Sequence, residues 1–369
     1  MVESTRRLIA VPTENPPGAH YEDCLTLLEG VLRDCGLEPR REGHCLLAFH
    51  GSGQRTVYFS GHYDVVPHAT EGQFEAEVRG ENLFGRGSSD MKSGLVSMIY
   101  AVRALRECGT KLDGRVGLVL VPDEETAGPR GSRYLESAGL LGEHGVAMFT
   151  PEPTGGVIWN ASRGAISLRV TIRGKAAHVG LQHQGVNAFE SMLNVARRLQ
   201  RLKAEVETRH TAYRIEPAAA RHSILMLGGQ CESGANFNTV PGTCSFTIDR
   251  RVNPEENQAM EKRRLLDELR GTEVEILQEG AAGGSDSNSP AGRALAAAIE
   301  EVLGKPAEFT LCPGLLETRF YSAKGIPAFA YGPGLLSVSH GPTEFVPLRN
   351  IGNCAAIYAL TAARILNPL

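Results

Sequence analysis

The sequence predicts an α/β chain: a mixed-sheet domain sandwiched by helices, interrupted by an inserted α+β segment with its own antiparallel sheet. Three observations predict it. Short unbroken apolar runs at Thr56-Val57-Tyr58-Phe59, at residues 115–121 and at Ala147-Met148-Phe149 alternate with helical stretches, as strands covered on both faces do. From about Trp159 the texture changes. Residues 165–173 and 243–249 alternate strictly between apolar and polar side chains, the mark of strands with one wet face. Past Gly280 the first texture returns, with a helix over 291–303. At 369 residues the chain is too long for one ordinary core, and the boundaries expected are 1–162, 163–279 and 280–369.

In chain order, the β-branched and aromatic run 56–59 is a buried strand ending at Gly61. His62 and Asp64 then project from a strand's carboxyl end, where open α/β sheets bind ligands. A histidine ligand needs its second ring nitrogen held by an acceptor, and Asp64 can supply one. Asp90 follows a glycine-punctuated turn, Gly85-Arg86-Gly87-Ser88-Ser89, and precedes an apolar helix over 95–105. The second strand, 115–121, runs into Pro122-Asp123-Glu124-Glu125. The third, 147–149, runs into Thr150-Pro151-Glu152-Pro153, and Ser339-His340-Gly341-Pro342-Thr343-Glu344 follows a glycine- and proline-rich turn.

Each of these has a plain alternative: a surface His-Asp pair beside a turn, or paired acids compensating a helix start. Together, two histidines and several acids placed just after strands or turns form a ligand set suited to zinc, cobalt or manganese. Adjacent glutamates leave one to bind metal and one free as a general base.

The inserted segment reads as a helix near 186–203, a strand over 223–227 and a charged helix near 255–269. The basic run Arg197-Arg198, Arg201, Lys203 alternates with Met192, Val195, Leu199 and Leu202, so it is the polar face of an amphipathic helix. With a net charge of −4 and a pI of about 6.3, the chain offers no basic field for nucleic acid. No stretch reaches the roughly 18 apolar residues of a membrane helix, and no signal peptide is visible. The eight cysteines show no C-x-x-C pair and read as reduced thiols. The expectation is a cytoplasmic protein with no nucleic-acid or membrane partner.

Taken in order, these motifs resemble the dizinc amidohydrolases that include aminoacylase, acetylornithine deacetylase, succinyl-diaminopimelate desuccinylase, glutamate carboxypeptidase and carnosine-type dipeptidases. The resemblance runs from Pro12-Thr13-Glu14-Asn15-Pro16-Pro17-Gly18 to Glu344. It implies two divalent metal ions, Zn2+ first, with Co2+ or Mn2+ as alternatives. His62 and Glu152 would complete one metal position, and Glu125 and His340 the other. Asp90 would bridge them, with a cis peptide to Met91. Asp64 would orient His62, and Glu124 would be the general base acting on a metal-bridging water. The family's smaller domain is a lid and dimerisation platform, so a homodimer through residues 163–279 is implied.

The resemblance assigns further residues there. A histidine at the Gly174-Lys175-Ala176-Ala177-His178 motif reaches the partner subunit's site and stabilises the oxyanion; read by itself, His178 is a turn histidine bonded to backbone. Asn238, before Thr239-Val240-Pro241, is implied as a substrate contact. Arg251 is implied as the grip on a substrate carboxylate, a task that suits a bidentate guanidinium, although Arg250 lies one step away. One segment departs from the family. Where relatives carry Gly-Gly-Thr-Asp-Ala-Arg, this chain has Gly314-Leu315-Leu316-Glu317-Thr318-Arg319. Arg319 can still bind a carboxylate, but the bulk of Leu315 and Leu316 blocks transfer of any one substrate.

The function expected is therefore hydrolysis of an amide in an N-acyl amino acid or small peptide-like substrate bearing a free carboxylate. Dipeptidase or carboxypeptidase action and a dinuclear-metal deaminase are the alternatives. A non-catalytic binding protein is disfavoured, because binding alone has no use for a base beside a ligand.

Overall fold

The structure is a computed structural model that describes residues 1–367. It divides into two compact units: residues 1–160, 284–310 and 317–369 form the first, and residues 161–283 with 311–316 form the second.

In the first unit, Gly114–Val121, Thr56–His62, Gly145–Thr150 and Ala328–Ala330 lie side by side and parallel. Cys45–Ser52 adds antiparallel at the outer side of Gly114–Val121, which makes the sheet mixed. Successive residues serve opposite faces. Val57, Phe59, Leu118, Leu120, Ala147 and Phe149 pack into one core with the helices Lys92–Glu107, Pro290–Leu303 and Leu348–Leu366. Tyr58, Val119, Val121 and Met148 pack into another with Leu135, Phe320 and Tyr321. Both faces are dry, which is why these strands read as unbroken apolar runs rather than alternating ones. The helix expected over 95–105 extends to Lys92–Glu107. The one expected over 291–303 starts at Pro290, where the Ser289 hydroxyl caps it by accepting from Gly292 N, and it stops at Gly304 in the left-handed region, a common C-terminal signal.

The second unit is a four-stranded antiparallel sheet in the order Ile224–Ser233, Thr243–Val252, Gly164–Arg173, Glu273–Gly280. Ile166, Leu168, Val170 and Ile172 are buried and pack with Leu199, Phe246, Ile248 and Leu265, while the alternate residues stay partly open. The helices Ala188–Val206 and Gln258–Glu268 lie on the buried face, each capped by an asparagine side chain, Asn187 and Asn257.

Two features differ from the sequence reading. Glu273–Gly280 is an edge strand not anticipated, because its acids mask it; Glu273 and Glu275 pair with Arg173 and Arg169 on the neighbouring strand. Residues 311–316 return to the second unit instead of staying with 280–369. There Leu311 packs with Ala161 and Ile215, and its amide donates to the Arg214 carbonyl at 2.7 Å. All eight cysteines are free thiols, six of them buried. Among the described residues no helix is long and apolar enough to cross a membrane.

Candidate metal centre and catalytic site

Strand register assembles the site. Phe59 pairs with Phe149 and His62 with Val121 in parallel ladders. His62, three residues past Phe59, therefore comes level with Glu152, three past Phe149, while Glu124 and Glu125 leave the same sheet edge just after Val121. His62, Asp90 and Glu152 offer one ligand atom each within 4.8 Å of one another, and Asp90, Glu125 and His340 do the same. Asp90 belongs to both groups. Its Oδ1 is 3.3 Å from His62 Nε2 and its Oδ2 is 3.3 Å from His340 Nε2. Glu125 Oε2 is also 3.3 Å from His340 Nε2. The peptide from Asp90 to Met91 is cis.

Glu124 lies beside these groups without joining either; its Oε2 stands 3.9 Å from His62 Nε2. Burial, reinforced by the charges of Glu152, Glu125 and Glu317, holds its carboxyl well above the usual range against the pull of His62. Glu152 is pushed up to about 8 by burial and by the charge of Asp90, and Glu125 is raised by burial with Asp90 adding to it. Hydrogen bonds to Asp90 and Glu125 lift the His340 ring to about 10. Burial opposes charge on His62, yet its contacts with Asp64 and Asp90 raise it well above an ordinary histidine. So many carboxylates in a dry pocket require either protonation of some of them or compensating cations.

Asp64 contacts the His62 ring through its main chain as well as its side chain. The nearest acceptor to His62 Nδ1 is the main-chain carbonyl of Asp64, at 2.9 Å, and the carboxylate Oδ1 is farther, at 3.4 Å. The carboxylate also receives the amides of Glu124 and Glu125, each at 3.3 Å. Thus Asp64 pins the turn that carries both glutamates. Asn15, buried and missed in the sequence reading, donates to Asp64 Oδ2 at 2.9 Å and to Thr126 Oγ1 at 3.0 Å. Its signal was the Pro12–Gly18 opening motif, whose task is to brace this turn.

Arg319 is 6% exposed, with its Nη2 3.4 Å from Glu317 Oε1 and its guanidinium over the Phe320 ring at 4.3 Å. It is thus buried and already beside one carboxylate, that of Glu317. Glu317 is a further buried acid whose charge reaches Glu124 and Glu152. It was visible in the departing 314–319 segment, but nothing in the sequence marked it as buried.

His178, Asn238 and Arg251 belong to the second unit. The short ribbon formed by Ala177–His178 and Thr239–Val240 brings the first two together, and the Asn238 carbonyl accepts from Val179 N at 3.0 Å. His178 is exposed, and its Nδ1 accepts from Gly180 N at 3.1 Å. This backbone bond leaves the proton of the neutral ring on Nε2. Arg251 lies on the open side of its strand, gripped by both oxygens of Asp249 at 2.7 and 3.0 Å. Arg250 points inward, 1% exposed, onto Glu256 and Glu261. It is committed to the core of this unit.

The profile of peptidase family M20/M25/M40 matches residues 58–364. The chain belongs to this family. It is accordingly a metal-dependent amidohydrolase or peptidase. Among its M20 relatives, a succinyl-diaminopimelate desuccinylase of Gluconacetobacter diazotrophicus is 28% identical over 388 aligned residues, covering 98% of this chain and 96% of that one. An M20 family metallo-carboxypeptidase from Sulfolobus solfataricus superposes with a TM-score of 0.81 at 17% identity, covering 98% of both chains. A di-peptidase from Saccharomyces cerevisiae gives 0.78 at 17%, covering 100% of this chain and 96% of that one. At such identity the two structures establish the M20 fold and no more.

Proposed function

We propose that this M20 enzyme removes an acyl group from an N-acyl amino acid, or cleaves a comparably small peptide-like amide bearing a free carboxylate. Two divalent ions would serve it, Zn2+ foremost and Co2+ or Mn2+ as alternatives, one held by His62, Asp90 and Glu152 and the other by Asp90, Glu125 and His340. The observation that carries this reading is a set of buried oxygens with no hydrogen-bond partner: Asp90 Oδ1, Glu125 Oε1 and Glu152 Oε1. Buried polar atoms are rarely left unsatisfied, and the three carboxylates that carry them are grouped with the imidazoles of His62 and His340, a donor set a zinc-type ion takes.

When bound, the ions acidify the attacking water and polarise the scissile carbonyl. The protein's own groups do the rest. Glu124, raised in pKa and outside both ligand groups, takes the water's proton and delivers it to the leaving nitrogen. Asp64 holds that turn in place. His178 of the partner subunit offers its Nε2–H to the developing oxyanion, and Asn238, Arg251 and Arg319 contact the substrate. Support for a homodimer through the second unit comes from its exposed large apolar side chains between residues 179 and 193, namely Val179, Leu181, Val186, Phe189 and Leu193, since exposed apolar surface commonly marks an interface. Free cysteines, two of them exposed, suit a reducing cytoplasmic compartment.

A screen of N-acyl amino acids, dipeptides and aryl amines with added Zn2+, Co2+ or Mn2+ tests the reading. Hydrolysis of an N-acyl amino acid is expected, with loss of turnover when its carboxylate is esterified. Turnover of aryl amines alone would replace hydrolysis of such amides by deamination. For the partner histidine, His178→Ala should lower kcat by about 10²–10³, as loss of an oxyanion donor does, with metal content and dimer intact. Mixed with Glu124→Ala, it should regain activity, because one site of the heterodimer then holds both the base and the histidine. Heterodimers that stay inactive would leave His178 as a turn residue bonded to Gly180.

A further inference from the structure

Arg86 and Glu344 form an ion pair at 2.7 Å in which both side chains are 1% exposed. Neither is a metal-ligand candidate, yet each holds the backbone of one. Glu344 Oε1 accepts from the amides of Ser89 and Asp90 at 2.9 and 3.0 Å. Arg86 Nη1 bonds Glu344 Oε2, while its Nη2 donates to the carbonyl of His340 at 3.3 Å and to that of Pro67, just past the His62 strand, at 3.2 Å. The ligands differ in what else secures them. His62 sits at the end of a fully buried strand, and Glu152 follows a strand paired on both sides. His340 lies on a loop with a positive φ of 64°, its side chain half exposed.

From this geometry we infer that the Arg86–Glu344 pair is a positioning device for the second metal position. It ties the His340 loop to the backbone of Asp90, so that one ion can be held between that loop and the sheet edge. The inference rests on the two-ion reading above. Outer partners of metal ligands typically contribute about 10–100-fold in affinity. The geometry assigns that contribution mainly to the ion shared by Asp90, Glu125 and His340. The ion shared by His62, Asp90 and Glu152 depends on sheet register and should be affected much less.

The experiment is titration of metal-stripped protein with Zn2+ by calorimetry and with Co2+ by visible absorption. Glu344→Gln keeps an oxygen for the two amides but turns an amide donor or a neutral oxygen toward Arg86. It should retain one ion at wild-type affinity, weaken the other about 10–100-fold, and lose the Co2+ absorption that His340→Ala also loses. Breaking one side of a buried ion pair can unfold a protein, whereas removing both charges is better tolerated. The double variant Arg86→Met/Glu344→Gln therefore carries the same expectation, with near-ultraviolet circular dichroism reporting the fold. Unchanged uptake of both ions, equal weakening of both, or loss of fold in the single and double variants would each overturn the inference. A wild-type chain that takes up only one ion would overturn the two-ion reading and this inference with it. Two ions in the wild type and unaltered uptake in the variants would overturn this inference alone.

Discussion

Glu124→Gln should lower kcat by about 10²–10⁴, the usual cost of losing a general base, while both metal ions remain bound. The substitution keeps the shape of the side chain and removes only its ability to take a proton. Metal retention is expected because Glu124 lies outside both ligand groups and the main chain at Glu124 and Glu125 is pinned by Asp64. Burial and neighbouring carboxylates hold its carboxyl well above the usual range. Steady-state kinetics paired with metal analysis check this. Wild-type turnover by Glu124→Gln would transfer the proton step to another group, and loss of an ion would make Glu124 a ligand.

Asp90→Ala should weaken both metal positions at once and bring activity down to background. Its two oxygens face different histidines, His62 and His340, at the same 3.3 Å, so one side chain serves both groups. The loss at each position should exceed the roughly 10–100-fold that an outer partner contributes, since a direct ligand disappears. By contrast, His62→Ala and His340→Ala should each weaken mainly one ion. Elemental analysis of the three purified variants separates the cases; a single ion lost equally from all three would remove Asp90 from its bridging place.

Much of the centre was legible because it is built from local signals. An apolar run names a buried strand, and the residues just past its carboxyl end lie at one edge of a parallel sheet whatever the details of packing. His62, the Glu124–Glu125 pair and Glu152 all follow from that rule, and the closeness of Asp90 and His340 to them agrees with the motif order. Which of Arg250 and Arg251 faces inward was also within reach. Continuing the alternation of residues 243–249 by one step places Arg250 inside with Cys244, Phe246 and Ile248, and a shift of one residue on a strand exchanges the faces.

What the sequence determined by itself was therefore the class of the fold, the alternation that separates its two kinds of sheet, and the ligand types gathered at one sheet edge. Tertiary structure alone decided how these are braced and insulated. The return of residues 311–316 to the second unit, the burial of Arg319 beside Glu317, the use of the Asp64 carboxylate on the Glu124–Glu125 turn, and the Arg86–Glu344 link across 258 positions leave no periodic trace. Each depends on which distant segment desolvates a polar group and supplies its partner, and that is a property of packing in three dimensions, not of spacing along the chain.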